Sequence, residues 1–360
     1  MTRASREPPC WRGGRASDSQ SARSPVSNDP EHFATTARLM PATASSSRRA
    51  VIDIGTNSVK LLVADVAGDT VEPVWEGSEQ TRLGRGFYDD HRLRPDAIAD
   101  TARAAAQFTQ TAREHGATAI RIIATSAARD AVNAADLLRA VHESTGHAVE
   151  VISGEEEADL AFQGVLTDAS LHAAPLLILD VGGGSTEFIL GSQSHALFRD
   201  SFKLGTVRLL ESTRIADPPA AIELAGLRCQ LRTFLQREVR PPLEPHLQAL
   251  HGAALTLVGT GGTTSILARM ELQLPNYDRP LIEATRFTAQ QVRDHTDRLW
   301  TLPLAARKQL PGLPAERADV ILFGVAIFEA VMETFGIATL RVSTRGLRFA
   351  AVRPALRNPA

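Results

Sequence analysis

The chain has 360 residues, 43% of them hydrophobic and 22% charged, with a formal net charge of −2, enough for two ordinary domains with a globular balance of residues. Its two cysteines, Cys10 and Cys229, exclude a disulfide framework and a cysteine-bound zinc site and suit a reducing, cytoplasmic compartment. No apolar run reaches 18 residues, which excludes a membrane-spanning helix.

The charge is uneven. Eight Arg against four acids give residues 1–49 a net +4 and leave −6 for the rest. An anionic ligand must therefore be held by local Arg, Lys and backbone N–H groups and not by a global field. Residues 1–48 are rich in Ser, Ala, Arg and Pro without an apolar period, and read as a disordered tail. They contain no apolar core of a secretory signal, and their acids and prolines argue against a transit peptide. A start at Met40, shortly before the first strand, is one explanation of such a tail.

Two buried strands are expected at Val51–Ile54 and Leu61–Val66, joined by a short turn. Helices follow at Pro95–His115 and Ala134–Ser144, with strands at Ala119–Ala124 and Ala148–Ile152. A second strand pair, Leu176–Asp180 and Glu187–Leu190, opens a new unit. Beyond it the pattern predicts a helix over Ala220–Gln236, a strand at Ala254–Val258, helices at Ala289–Leu299 and Ala318–Phe335, and a last strand at Thr339–Ser343. Mixed strands and helices in both halves make this an α/β protein. The apolar stretch Val320–Met332 suits either a core helix or a homodimer surface.

The informative feature is an internal repeat. Asp53-Ile54-Gly55-Thr56-Asn57-Ser58 recurs 127 residues later as Asp180-Val181-Gly182-Gly183-Gly184-Ser185, each copy between two apolar strands. A Gly-rich turn folds tightly enough for its N–H groups to converge on an anion. Ser58, Ser185 and Thr186 add hydroxyl donors, and Asp53 and Asp180 at the strand ends can hold hydrated Mg²⁺. A plain hairpin turn explains either copy alone; the repetition favours two turns gripping one phosphate chain. A third turn, Gly259-Thr260-Gly261-Gly262-Thr263-Thr264-Ser265, leads into a helix (Ile266–Met270) whose N-terminus favours anions.

Acids cluster at Ser153-Gly154-Glu155-Glu156-Glu157. Ser153 and Glu156 fit a capping box, and Glu155 suits the helix dipole. Glu157 is needed by neither, so it is either a solvated acid or a base able to accept a proton from water. Glu187 stands seven residues after Asp180, where the first copy has Lys60, and the two acids could share one cation. Basic candidates for a polyanion track are Arg82, Arg85, Lys203, Arg208, Lys308 and Arg348, each of which a solvated surface charge also explains.

At these residues the sequence resembles the Ppx/GppA phosphatase family, from about Val51 to Arg348. The resemblance is carried by Asp53–Ser58, Thr125-Ser126-Ala127-Ala128-Arg129, Ser153–Ala158, Asp180–Glu187, Leu204-Gly205-Thr206-Val207-Arg208, Gly259–Thr264, Leu310-Pro311-Gly312-Leu313, and Arg317-Ala318-Asp319 with Gly324. It implies two actin-like, ribonuclease H-like lobes, residues 49–160 and 161–352 with a tail over 353–360, and an active site in the cleft between them. The implied reaction is Mg²⁺-dependent hydrolysis of the terminal phosphate of inorganic polyphosphate or guanosine pentaphosphate. Glu157 matches the family's catalytic base, Asp180 and Glu187 its metal-linked acids, Arg129 a phosphate-binding arginine, and Gly55–Ser58 and Gly183–Ser185 its phosphate loops. The family's Leu-Arg-Glu-Gly reads here Leu347-Arg348-Phe349-Ala350, and the match is to the short form without a C-terminal HD-type domain. No nucleic-acid duplex or membrane is expected as a partner. A phosphotransferase on the same fold and a non-catalytic binder of guanosine tetra- or pentaphosphate remain competing readings.

Overall fold

The computed structural model describes residues 46–172, 174–192 and 195–354. Of the tails expected over 1–48 and 353–360, residues 1–45 and 355–360 lie outside the described residues. The chain begins with β1 (Ser47–Ile54), β2 (Val59–Ala67), β3 (Thr70–Glu79), α1 (Pro95–Glu114), β4 (Ala119–Ala124), α2 (Ser126–Asp130), α3 (Ala134–Thr145), β5 (Val149–Val151) and α4 (Gly154–Val165). It continues with β6 (Leu176–Val181), β7 (Thr186–Ser192), β8 (His195–Phe202), α5 (Thr206–Ser212), α6 (Ala221–Phe234), α7 (Arg240–Gln248), β9 (Thr256–Thr260), α8 (Gly262–Glu271), α9 (Arg279–Ala284) and β10 (Arg286–Thr288). The last elements are α10 (Ala289–Thr301), α11 (Leu304–Arg307), α12 (Ile321–Phe335), β11 (Thr339–Val342) and α13 (Leu347–Ala351). β1 starts inside the segment expected to be tail, because Arg48 reaches across the pair to Asp65 with bonds of 2.9 and 2.8 Å.

The strands form two sheets, in the orders β3-β2-β1-β4-β5 and β10-β11-β9-β6-β7-β8. β1 and β6 hold equivalent places: each pairs antiparallel with the strand that follows it and parallel with a later one, β4 or β9. The repeat read from the sequence is thus the same hairpin built twice. In the first, Gly55 N–H donates to Ser58 O at 3.0 Å; in the second, Gly182 N–H donates to Ser185 O at 2.9 Å.

Alternation along these strands explains their continuous apolar runs, since both faces of each sheet are buried. Ile52, Ile54, Leu61 and Val63 face Ala105 and Phe108 of α1 and Leu137 and Val141 of α3. Leu177, Leu179, Phe188 and Leu190 face a larger core that includes Phe323 and Ile327 of α12. The intervening residues Val51, Leu62 and Ile123 from one sheet and Ile178, Ile189 and Val258 from the other belong to a third cluster. It encloses Ala158, Ala161 and Phe162 of α4 with Leu347 and Phe349 of α13. α4 therefore runs through residue 160, the lobe boundary expected from the sequence, and lies in the layer that the two sheets share. Every residue of α12 from Ile321 to Met332 is buried, so this stretch is core and not a dimer surface.

β3 and β8 were not expected. Both are edge strands, β3 with a single buried residue and β8 with none, so they lack the apolar signal of β1 or β6.

Gly164 sits where α4 meets the start of α13. A Cβ there would lie 2.0 Å from Gly346 O and 2.7 Å from its carbonyl carbon, backbone atoms that cannot swing aside. Helix propensity alone favours Gly→Ala by about 1 kcal/mol. Crowding reverses that sign: Gly164→Ala is expected to destabilise by about 2–3 kcal/mol in urea unfolding, and a stabilised variant would contradict the close crossing.

Candidate active site

The two hairpins face each other. A Cβ on Gly183 would stand 3.0 Å from Thr56 Cβ, and one on Gly184 would stand 2.5 Å from Ser126 Oγ and 2.8 Å from Thr56 Oγ1. Glycine at these two positions is what lets the turns approach. Between them lies a cavity of about 60 Å³, lined by the two turns (55–58 and 182–185), Asp53, Lys60, Glu157, Asp180, Glu187, Thr206, Gly262, Thr263 and Arg317 among others. It adjoins a chamber of about 360 Å³ that shares Asp53, Lys60, Asp180, Gly262 and Arg317 and adds Arg269, Tyr277 and Arg348.

Most residues proposed from the sequence meet at the small cavity, namely Gly55, Thr56, Asn57, Ser58, Gly182, Gly183, Gly184, Ser185, Gly262, Thr263, Asp53, Asp180, Glu187 and Glu157. Three stand elsewhere. Gly261 lines the larger chamber with φ +86°, and a Cβ there would meet Asp180 Oδ1 at 2.5 Å, so glycine makes room for that carboxylate. Thr186 lines neither cavity and is buried in β7, where its hydroxyl is bonded to Leu204 O. Arg129 also lines neither cavity; its Nη1 donates to Glu157 Oε2 and to Ile152 O, both at 3.1 Å. It acts on Glu157 first.

The three acids of the cluster are sorted by α4. Ser153 and Glu156 form the capping box, with Glu156 N–H donating to Ser153 Oγ at 3.1 Å and Ser153 N–H to Glu156 Oε2 at 2.8 Å. Glu155 accepts from Arg199 at 2.8 Å on the exposed side. Glu157, one residue further round the first turn, is only 7% exposed and reaches the cavity. Burial, the nearby Glu187 and then Asp53 push its carboxyl well above the ordinary range, against the pull of Arg129.

Asp180 and Glu187 are register partners across β6 and β7, as Asp53 and Lys60 are across β1 and β2. One hairpin therefore carries an acid–acid pair where the other carries an acid–lysine pair, with Lys60 Nζ 3.8 Å from Asp53 Oδ2. Burial and Asp180 raise Glu187 to about 7, opposed by hydrogen bonds from Ser201 and Ser185; burial also raises Asp180. Ser185 spends its hydroxyl proton on Glu187 Oε1 at 2.8 Å, so that hydroxyl is not a free donor in the cavity.

These acids suit a divalent cation. Asp53 Oδ1 is buried without a hydrogen-bond partner, and burial, with neighbouring negative charge, raises the proton affinity of Asp180 and Glu187. Among the described residues no three His, Cys, Asp or Glu side chains enclose a metal by themselves. Asp53, Asp180 and Glu187 are the carboxylates here that could serve as ligands to a cation.

The basic track is corrected. Arg82 pairs with Asp319 at 2.6 Å, Arg85 pairs with Asp96, and Arg208 donates to Gly184 O at 2.9 Å while covering the Tyr88 ring. Lys203 and Lys308 line neither cavity; Arg348 does, joined by Lys60, Arg269 and Arg317, which were not proposed as track residues. Arg317 stood in a motif already noted, but nothing in its spacing shows that it turns inward. Phe349, in place of the family's Glu, is fully buried under the guanidinium of Arg279 (4.9 Å) and lines neither cavity.

The Ppx/GppA phosphatase family model matches residues 45–352. The chain belongs to that family. Exopolyphosphatase 2 of Mycobacterium tuberculosis is 36% identical over 313 residues, covering 82% of this chain and 95% of that protein. A guanosine-5′-triphosphate,3′-diphosphate pyrophosphatase of Aeromonas hydrophila is 28% identical, covering 84% of this chain and 57% of that protein. The crystal structure of an exopolyphosphatase from Cytophaga hutchinsonii is similar with a TM-score of 0.75 at 26% identity, over 84% of this chain and 96% of that one. The two-lobed actin-like fold is therefore the Ppx/GppA fold, and the chain is a phosphoric anhydride hydrolase of that family. Neither the transferase nor the sensor reading draws support from these relatives.

The raised carboxyl of Glu187 fixes a sign for stability in this Ppx/GppA member. With a folded-state value near 7 above an ordinary 4.5, the folded state holds the extra proton, so stability falls as pH rises between those values. Glu187→Gln keeps an oxygen to accept both serine hydroxyls and removes the charge. Without metal, its unfolding free energy in urea is expected to exceed that of wild type at pH 8, by roughly 3 kcal/mol at most, with the gap closing below pH 5. A variant less stable than wild type at pH 8 would contradict this electrostatic account.

Proposed function

We propose that the protein removes the terminal phosphate of inorganic polyphosphate or of guanosine pentaphosphate with the help of Mg²⁺. The observation that carries this reading is a buried carboxyl of raised proton affinity, Glu157, on the wall of a cavity formed by two opposed hairpin turns. At about 60 Å³ the cavity suits one phosphoryl group and excludes a nucleoside, whereas the adjoining 360 Å³ has room for the remainder of the substrate. That geometry selects the end of a chain. Lys60, Arg269, Arg317 and Arg348 line the larger chamber and supply the charge for a polyanion which the overall balance of the protein does not.

The positions of these groups support the following reaction. Backbone N–H groups of residues 56–58 and 183–185 hold the terminal phosphoryl oxygens, those of Gly55 and Gly182 being used within their own turns. Glu157 takes a proton from water, whose oxygen then attacks phosphorus in line with the bridging oxygen. The phosphoanhydride P–O bond breaks, phosphate is released, and the leaving chain is shorter by one unit. Arg129 holds Glu157 in place through its 3.1 Å bond. Asp180 and Glu187, with Asp53 beside them, would hold Mg²⁺, which supplies positive charge to the phosphoryl oxygens. A reducing, cytoplasmic setting suits the free, exposed Cys229.

Glu157→Gln keeps the size and the bond to Arg129 but cannot take up the proton. Phosphate release from polyphosphate or guanosine pentaphosphate is expected to fall by about 10²–10⁴-fold with an unchanged circular dichroism spectrum. EDTA should abolish wild-type release and Mg²⁺ restore it. Near wild-type turnover by the variant would remove Glu157 from the role of base.

A further inference from the structure

We propose that Ser201 is a positioning residue for the metal-binding carboxylate, fixing Glu187 so that one chosen oxygen is presented to the cation. This rests on the Mg²⁺ reading given above. Ser201 lies on β8, a strand without a clear sequence signal, and falls in none of the motifs that define the site.

Three strands set the arrangement. Asp180 on β6 is the register partner of Glu187 on β7, and Glu187 is the register partner of Ser201 on β8. Directly opposed residues project on the same face of a sheet, so an acid, a second acid and a hydroxyl stand in a row. Ser201 Oγ donates to Glu187 Oε1 at 2.7 Å, and Ser185 Oγ donates to the same oxygen at 2.8 Å. Oε1 thus takes both hydroxyls and Oε2 takes neither. Two donors on one oxygen stop the carboxylate from rotating and leave Oε2 as the oxygen available to an ion shared with Asp180. Loss of a group that orients a metal ligand in this way typically costs about 10–100-fold in metal affinity.

The same serine touches the helix that carries the base. A Cβ on Gly154, the first residue of α4, would lie 2.7 Å from Ser201 Cβ and 3.2 Å from its Oγ. The helix start is therefore seated against the Ser201 side chain, mainly at Cβ. Ser201→Ala keeps Cβ and this seat while removing only the hydroxyl, which separates orientation of Glu187 from docking of α4.

The test is titration of the metal-free full chain with Mg²⁺ by calorimetry, alongside phosphate release at varied Mg²⁺. Ser201→Ala is expected to raise the Mg²⁺ Kd about 10-fold, to raise the Mg²⁺ needed for half-maximal rate in parallel, and to return to about wild-type kcat at saturating Mg²⁺. The melting midpoint of the metal-free protein serves as the fold control. A hydroxyl that only satisfies a buried acceptor would lower that midpoint or depress kcat at every Mg²⁺ concentration while leaving the Kd unchanged, and that result overturns the proposal. Absence of Mg²⁺ binding by the wild-type protein would overturn the metal reading itself, a different outcome from a Ser201→Ala protein that binds as tightly as wild type.

Discussion

The site depends on negative charge packed together with too little fixed positive charge beside it. Asp53, Glu157 and Glu187 are buried and Asp180 is half-buried, and all four border one small cavity. Burial of an ionised carboxylate is costly unless a partner or a proton compensates it. Arg129 partly compensates Glu157, and Lys60 stands 3.8 Å from Asp53, but burial and the facing Asp180 outweigh the two serine hydroxyls and Arg129 at Glu187. The polypeptide therefore holds a cluster of buried acids that is costly while all of them are ionised. The same imbalance raises the proton affinity of Glu157, which a base for water needs.

The rest of the architecture holds that cluster closed. Two hairpins of the same construction meet at Gly183, Gly184 and Thr56, and two helices, α4 and α13, cross between the sheets at Gly164 and Gly346. Duplication gives each half a turn able to hold phosphate, and one register position then makes the halves unequal. Where the first hairpin has Lys60 the second has Glu187. The cavity is thus faced by a lysine on one side and a second acid on the other, a division that two identical turns could not provide.

Much of this was legible because its physics is local. The apolar runs of β1, β2, β6 and β7 announce strands buried on both faces, and the repeated turn between them announces the paired hairpins. Ser153 and Glu156 spell a capping box, which singled out Glu157 by leaving it without a structural task. Long-range pairing was not legible. Whether an arginine lines a cavity or closes an ion pair depends on residues hundreds of positions away, as with Arg82 and Asp319 or Arg279 and Glu76. Thr186 shares the turn's spacing yet points to Leu204 O, since strand alternation turns it away from the cavity. Ser201 was hidden for a related reason: it belongs to a half-exposed strand whose pattern is weak, and its role is defined by register with Glu187.

The central claim, that buried carboxylates await positive charge, is tested most directly by carbon-13 NMR titration of glutamate side-chain carboxyls in the metal-free protein. A carboxyl titrating well above the ordinary glutamate range, absent from the spectrum of Glu157→Gln and displaced downward when Mg²⁺ is added, is the predicted result. Glutamate carboxyls that all titrate in the ordinary range, indifferent to Mg²⁺, would contradict it.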